Sequence, residues 1–273
     1  MSRTRTIERP AKWVLAGEHT VLNGHPSVVM PWPDYRLKVT FDSSGPAKWP
    51  SIWRELDSAW VEKGLGAATP YGHVALESTI PEGGGLGSSA ALCSAFVEWK
   101  GFELDCHWTP EETWRLATAL ECHFHGQSSG MDIAAVQIGV PLTFQRGRLP
   151  TPWEPLKIAT TSRPIQFSLH DTGLRGSTML AVEKVKAFRL GSRDGKTADD
   201  AMIEAVQWAR QGLIEGNRDR LAESLDRSWR AYEIWGLIPE KARTLYQELK
   251  AKGAVAVRMT GAGRGGFLVA LWP

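Results

Sequence analysis

A cluster of glycines and serines between residues 81 and 91 is the part of this sequence best suited to bind an anion. It reads Pro-Glu-Gly-Gly-Gly-Leu-Gly-Ser-Ser-Ala-Ala, after a segment that alternates like a strand and before a run of good helix formers. The first turn of a helix presents unpaired N–H groups and the positive end of a dipole. We therefore predict phosphate binding here, by Gly83, Gly84, Gly85, Leu86, Gly87, Ser88 and Ser89.

This segment matches neither of two familiar phosphate-binding loops. Gly87 is followed by Ser88, so the Gly-Lys-Ser/Thr ending of a P-loop is missing, and the glycine spacing is not G-x-G-x-x-G. Glycine-rich turns before helices also occur as plain chain reversals. The segment alone leaves phosphate binding and a simple turn both open.

A glutamate with an unusual position follows later in the chain. Thr109-Pro110-Glu111-Glu112 is a capping box with proline at the first helical position, so a helix begins there and is expected to run to about Phe124. Trp114, Ala117 and Glu121 recur on one side of this helix. A buried carboxylate is costly without a partner, so Glu121 requires a cation or a hydrogen-bond donor, unless it is a surface residue near the helix end.

Two further segments accompany the glycine-rich one and complete a pattern. Residues 10–24 read PAKWVLAGEHTVLNG, and residues 258–267 read RMTGAGRGGF. In this order the three segments resemble the signature motifs of the GHMP kinases, the family of galactokinase, homoserine kinase and mevalonate kinase. Residues 121–132, ECHFHGQSSGMD, resemble the stretch of the mevalonate kinase branch that leads from a magnesium-binding glutamate to the catalytic aspartate.

The resemblance implies transfer of the γ-phosphoryl group of ATP to a hydroxyl, with mevalonate as the expected acceptor and 5-phosphomevalonate as the product. By resemblance, Asp132 is the catalytic base with Lys12 close to it, and Mg²⁺ is held by Ser89 and Glu121. ATP would also contact the third motif at Gly261, Ala262 and Gly263. The expected acceptor-binding residues are Glu18, His19, Ser129, Thr172 and Arg175.

These residue types suit phosphoryl transfer, which depends mainly on positioning and charge stabilisation. Hydroxyl and carboxylate oxygens are ligands that Mg²⁺ prefers. A lysine can keep Asp132 ionised, and the aspartate can then accept the proton of the attacking hydroxyl. Each residue also has a structural interpretation: the aspartate as a turn residue, the lysine as a strand-edge residue, and His19 as a structural hydrogen-bonding group.

The sequence departs from the family pattern at three positions. Ile133 follows the aspartate where asparagine is usual, Arg264 replaces a glycine of the third motif, and Phe267 replaces a cysteine. These departures bear on the acceptor more than on the kinase chemistry. A sugar or sugar-phosphate kinase of the galactokinase or heptose kinase type stays open, as does a non-catalytic member that only binds a ligand.

The overall composition indicates a globular protein that handles small molecules. The net charge of +2 is too small for a nucleic-acid-binding surface, and no apolar run is long enough for a membrane span or a secretion signal. Three cysteines without C-x-x-C spacing do not predict a disulfide framework. We expect a cytoplasmic enzyme with a small-molecule substrate and no nucleic-acid or membrane partner; its oligomeric state stays open, a homodimer included.

The elements that would position these residues form an α+β fold. Strands are expected at 7–16, 27–30, 35–41 and 74–80, with turns at 23–24 and 31–33, and helices at 51–63 and 88–100. A break rich in proline and threonine at 146–163 is followed by a strand at 165–171, a helix at 177–189, a helix capped at Thr197, helices at 218–235 and 239–252, and strands at 255–259 and 267–272. The resemblance implies an N-terminal domain (1–158) like the second domain of ribosomal protein S5, a ferredoxin-like C-terminal domain (159–273), and an active site in the cleft between them.

Overall fold

The computed structural model describes residues 4–46, 48–68, 71–161, 163–192 and 194–273. Eight strands and eight α-helices are assigned within these ranges. The strands are β1 (Thr4–Ala16), β2 (Ser27–Pro46), β3 (Tyr71–Ser78), β4 (Leu142–Phe144), β5 (Trp153–Pro155), β6 (Gln166–Asp171), β7 (Ala256–Met259) and β8 (Phe267–Trp272). The helices are α1 (Ser51–Glu62), α2 (Ser88–Glu103), α3 (Pro110–His125), α4 (Met131–Ile138), α5 (Thr178–Gly191), α6 (Asp194–Glu215), α7 (Arg218–Ile234) and α8 (Glu240–Ala251).

The chain forms two compact units that are interleaved along the sequence. Unit 1 comprises Met1–Lys12, Pro31–Pro81 and Gly87–Gly139. Unit 2 comprises Trp13–Met30, Glu82–Leu86 and Val140–Pro273. Each unit is therefore assembled from three separate stretches of chain, whereas the sequence predicts one boundary near residue 158.

Within its described residues, unit 1 contains an antiparallel pair of strands and four helices, with Phe41 of β2 in contact with Trp99 of α2. Strand β2 pairs with β3 in a register that joins Val39 to Leu76. Helix α2 packs against α3 and α4. The capping box predicted at the start of α3 is confirmed, because Thr109 and Glu112 exchange side-chain to backbone hydrogen bonds.

Several tryptophans of the sequence are gathered in the core of unit 1. The rings of Trp53 and Trp99 lie with centroids 5.3 Å apart, and each contacts Phe96. The fully buried Lys100 lies among these rings, and its Nζ is 2.5 Å from Asp57 Oδ1. Burial lowers the pKa of Lys100, while Asp57 counteracts that shift. The aromatic cluster thus encloses an ion pair that ties α1 to α2.

Unit 2 contains an antiparallel sheet in the order β6-β8-β7, with α5 to α8 in the same unit. Helices α6 and α7 pack along each other, and α7 also contacts β7. The first residues of β2 pair with β4, which in turn pairs with β5. The predicted strands and most predicted helices of this part of the chain are confirmed to within a few residues.

Two sequence-based expectations about secondary structure are wrong, and one helix was not expected. The segment Pro31–Pro33 is not a turn, because β2 continues through it from Ser27 to Pro46. Thr197 does not cap a helix, because α6 already begins at Asp194. Helix α4, which carries Asp132, was not predicted; it has eight residues and lies between Gly130 and Gly139, both left-handed.

Candidate active site

Lys12 and Asp132 form a close ion pair in unit 1. Lys12 is the last residue of β1 within this unit, and Asp132 lies in the first turn of α4. Lys12 Nζ is 2.8 Å from Asp132 Oδ2, with the lysine side chain 2% exposed and the aspartate side chain 32% exposed. The other carboxylate oxygen, Oδ1, is buried and has no hydrogen-bond partner among the residues described. The ion pair with Lys12 therefore fixes the orientation of the Asp132 carboxylate.

Glu121 is buried in the same unit and interacts electrostatically with this pair. Its Oε2 accepts a hydrogen bond of 2.5 Å from the Ser128 hydroxyl, whose oxygen in turn accepts one from the backbone N–H of Gly130. Burial, and next the negative charge of Asp132, raise the pKa of Glu121 to about 7. The predicted burial of this face of α3 is confirmed. The sequence motif does not distinguish Ser128 from the adjacent Ser129, so this contact is not predictable from it.

Ser129 itself has a local role in the structure. Its hydroxyl oxygen accepts a hydrogen bond of 3.2 Å from the backbone N–H of Met131, at the first residue of α4. The side chain is half-buried. Ser129 thus helps to start the helix on which Asp132 lies.

The start of α2 lies directly against Lys12. Gly87 precedes the helix with φ 82°, and a Cβ atom added to it would lie 2.9 Å from Lys12 Cγ. Both the left-handed backbone and the close approach require glycine at this position. Ser88 and Ser89 are half-buried in the first turn of α2. The predicted sequence of strand, glycine-rich loop and helix is confirmed.

The other part of the glycine-rich segment belongs to unit 2 and contacts the third motif there. A Cβ atom added to Gly85 would lie 3.2 Å from Gly261 Cα, and one added to Gly266 would lie 2.6 Å from the Gly84 carbonyl oxygen. Two glycine-rich loops, Gly83–Leu86 and Gly261–Gly266, are therefore in backbone-to-backbone contact. Leu86 is buried, which anchors the end of the first loop.

Glu18 and His19, predicted to bind the acceptor, are both buried against the third motif. Glu18 Oε1 lies 2.5 Å from Arg258 and accepts a hydrogen bond of 3.2 Å from the backbone N–H of Gly261. His19 Nε2 is 2.9 Å from the carbonyl oxygen of Ala262. Burial is the main cause that lowers the pKa of His19 to about 4, so the ring is neutral near pH 7. These contacts hold the Gly261–Gly266 loop in place.

Arg258 and Tyr232 complete this network and were not identified from the sequence. Arg258 is fully buried on β7, and its Nη1 donates a hydrogen bond of 2.6 Å to the carbonyl oxygen of Leu15. The Tyr232 hydroxyl donates to the carbonyl oxygen of Gly261, and burial raises the pKa of this tyrosine well above its ordinary value. An arginine in a strand that is otherwise apolar was the only sequence signal.

Thr172 and Arg175 lie in the loop after β6, next to the glycine-rich loops of unit 2. The buried Thr172 donates a hydrogen bond of 2.7 Å from its hydroxyl to the carbonyl oxygen of Gly266. Arg175 makes two hydrogen bonds of 2.7 Å to the two carboxylate oxygens of Asp171. A Cβ atom added to Gly83 would lie 3.3 Å from Arg175 Cδ. The structure thus brings Arg175 to the edge of the first glycine-rich loop.

Comparison with known proteins agrees with this arrangement of motifs. The model described as "GHMP kinases N terminal domain" matches residues 55–139, and "GHMP kinases C terminal" matches residues 209–273, together more than half of the chain. The mevalonate kinase of Aeropyrum pernix is 26% identical over all of this chain and 90% of its own length. The crystal structure of L. major mevalonate kinase in complex with R-mevalonate has a TM-score of 0.78 at 21% identity, covering 99% of this chain and 87% of that one. Lactococcus lactis galactokinase, complexed with galactose, has a TM-score of 0.76 at 15% identity, with 99% and 86% coverage.

The chain belongs to the GHMP kinases, and it has their two-domain mixed α/β fold. Within that family, its similarity to mevalonate kinases over its full length makes it an ATP-dependent kinase that phosphorylates a hydroxyl group of a small molecule. No helix of the described residues has the length and apolar character that crossing a membrane requires.

Proposed function

We propose that this kinase transfers the γ-phosphoryl group of ATP to the hydroxyl of mevalonate. The observation that carries the acceptor is the similarity, over 97–100% of this chain, to proteins named mevalonate kinase. The fold does not choose the acceptor, because a galactokinase has nearly the same TM-score as a mevalonate kinase. The proposal for the acceptor therefore depends on sequence similarity, and that for the chemistry depends on the Lys12–Asp132 pair.

In this proposal Asp132 accepts the proton of the acceptor hydroxyl. Lys12 Nζ lies 2.8 Å from its Oδ2 and fixes the carboxylate, whose side chain is 32% exposed. A carboxylate held in place beside the acceptor hydroxyl can act as a general base. The hydroxyl oxygen then bonds to the γ-phosphorus as the bond between that phosphorus and the β,γ-bridging oxygen breaks, and ADP leaves.

The residues near Asp132 also fit a magnesium ion. Burial, and next the negative charge of Asp132, raise the pKa of Glu121 to about 7. Bringing a divalent cation to these two carboxylates would relieve their repulsion. No group of three or more histidine, cysteine, aspartate or glutamate side chains suited to a metal occurs in the described part of the chain. This agrees with Mg²⁺, which usually takes one or two carboxylates together with phosphate oxygens.

We assign the magnesium site to Glu121 and the Ser89 hydroxyl. When bound, Mg²⁺ would neutralise charge on the phosphates of ATP. Ser128 would orient the Glu121 carboxylate by its hydrogen bond of 2.5 Å. The backbone N–H groups of the glycine-rich segment 83–89 and of Gly261–Gly263 would bind the phosphates. Arg175 and Thr172, with Glu18, His19 and Ser129, would form or support the acceptor site.

The proposal is tested by ADP release with four acceptors: mevalonate, phosphomevalonate, galactose and homoserine. We expect turnover with mevalonate at a kcat/KM about 100-fold or more above that with the other three. Asp132→Asn serves as the control for contaminating kinases, since a general base contributes about 10²–10⁴-fold. Turnover of galactose or phosphomevalonate in preference to mevalonate would refute the acceptor assignment while the kinase assignment stands.

A further inference from the structure

Arg264 is an exposed arginine in the middle of the second glycine-rich loop. Its backbone has φ 64°, in the left-handed region, where arginine is disfavoured and glycine is not. Gly263 and Gly265 on either side are buried, whereas Arg264 is exposed. Among the described residues, only two others that are not glycine have positive φ, and they are His19 and Asp105.

The Arg264 side chain is not explained by contacts within the protein. Its backbone N–H donates a hydrogen bond of 2.8 Å to the carbonyl oxygen of Leu237, which fixes the main chain. Its guanidinium makes no hydrogen bond, ion pair or ring contact with any residue that the structure describes. A glycine at this position would keep the loop and remove the backbone strain. The arginine therefore contributes something other than stability.

The surroundings of Arg264 are built from backbone rather than from side chains. The Gly261–Gly266 loop is in contact with Gly83–Leu86 through two glycine pairs, as described above. A Cβ atom added to Gly176 would lie 3.1 Å from the carbonyl carbon of Arg264. Segment 174–176 is therefore also adjacent, and it carries Arg175, whose side chain lies against Gly83. Arg264 thus adds an exposed cation beside the two glycine-rich loops, and no acidic side chain of the described residues binds it.

We propose that the guanidinium of Arg264 binds a phosphate oxygen of the nucleotide. A guanidinium presents five N–H donors in a planar fork that matches phosphate oxygens, and charge-assisted hydrogen bonds of this kind are the strong ones. The inference depends on the ATP-dependent activity of the protein but not on mevalonate being the acceptor. It assigns a phosphate-binding role to a side chain at a position where the family motif has glycine and offers only backbone.

The test compares Arg264→Gly and Arg264→Lys with the parent for binding of ATP, ADP and adenosine by isothermal titration calorimetry. We expect Arg264→Gly to weaken ATP binding about ten-fold or more, as for loss of a hydrogen bond between charged groups. Adenosine binding should not change, and Arg264→Lys should lose less than Arg264→Gly because it keeps the charge. The thermal midpoint of Arg264→Gly should rise, because glycine adopts this φ without strain.

Asp105→Gly is the matched control, because Asp105 is an exposed residue with φ 51° that follows the C-terminal end of α2, whereas the first glycine-rich loop precedes the start of that helix. It should raise the thermal midpoint and leave ATP binding unchanged. The proposal is overturned if Arg264→Gly binds ATP like the parent, or loses ATP and adenosine affinity equally. A raised KM for the acceptor with unchanged ATP affinity would also overturn it, in favour of an acceptor contact. Failure of the parent to phosphorylate mevalonate would affect only the acceptor assignment, since the binding measurements need no acceptor.

Discussion

Glu121→Gln should change how the stability of the protein depends on pH. The pKa of Glu121 is raised from 4.5 to about 7 in the folded protein, chiefly by burial and next by the charge of Asp132. In the unfolded chain this carboxyl has its ordinary pKa, so the folded state holds the proton more tightly than the unfolded state. The stabilisation is fully present below about pH 4.5 and is lost as the pH rises towards 7.

The size of the effect follows from the shift. One pKa unit corresponds to about 1.4 kcal/mol, so the free energy of unfolding of the parent should fall by up to about 3 kcal/mol from this group between pH 4.5 and 8. Because glutamine cannot ionise, the free energy of unfolding of Glu121→Gln should not show this decrease. The difference in unfolding free energy between the variant and the parent should therefore increase with pH, by roughly 1–3 kcal/mol.

The assay is urea unfolding of both proteins at half-unit steps from pH 5 to 8, with EDTA present. Glu248→Gln, at an exposed position of α8, controls for the removal of a carboxylate. In a second series, Mg²⁺ with ATP should restore stability to the parent above pH 7 and restore much less to Glu121→Gln. If the difference between variant and parent is constant across the pH range, Glu121 does not ionise near neutrality, and the argument for a cation at this position fails.

Two further predictions concern the ion pair and the buried histidine. Asp132→Asn should lower the rate of single-turnover phosphoryl transfer by about 10²–10⁴-fold while ATP binding is retained. Lys12→Met should also lower this rate. The double variant should be little slower than Asp132→Asn alone, since paired residues act as a unit. An Asp132→Asn enzyme within a few-fold of the parent would exclude the base role. Because the pKa of His19 is lowered to about 4, the parent should lose stability as the pH falls from 6.5 to 4, by up to about 3 kcal/mol. His19→Asn, which tolerates the left-handed backbone, should not show that loss in thermal unfolding, and equal losses in both proteins would contradict the burial argument.

Local patterns in the sequence are enough to predict most elements, whereas the ion pair of Lys12 and Asp132 is expected only from the family resemblance. The capping box at Thr109 and the glycines before Ser88 act over three or four residues, so their structural consequences are visible in the sequence. Strand β2 was divided in two because Pro31 and Pro33 favour turns, and pairing with neighbouring strands overrides that preference. Helix α4 was missed because its eight residues are too few for an apolar period to be recognised.

Burial and long-range partners are what the sequence could not supply. Glu18 and His19 belong to a recognisable motif, but their contacts with Arg258 and Ala262 join residues about 240 positions apart. The same holds for the interleaving of the two units, because no change in composition marks Trp13–Met30 as part of the second one. In the sequence Arg264 is only a departure from a motif, because its left-handed backbone and exposed side chain depend on the fold of the loop.

The interleaved chain also has a consequence for synthesis on the ribosome. Val14 and Glu18 are among the first residues to emerge, yet their hydrogen-bond partners Thr260 and Arg258 are 246 and 240 residues later. At about 5–20 residues per second, translation separates them by roughly 10–50 seconds. During that interval the glutamate has no arginine to neutralise it, so we expect this part of unit 2 to stay open in the nascent chain. The hydrogen bonds of Val14 and Glu18 can form only after Thr260 and Arg258 have been translated.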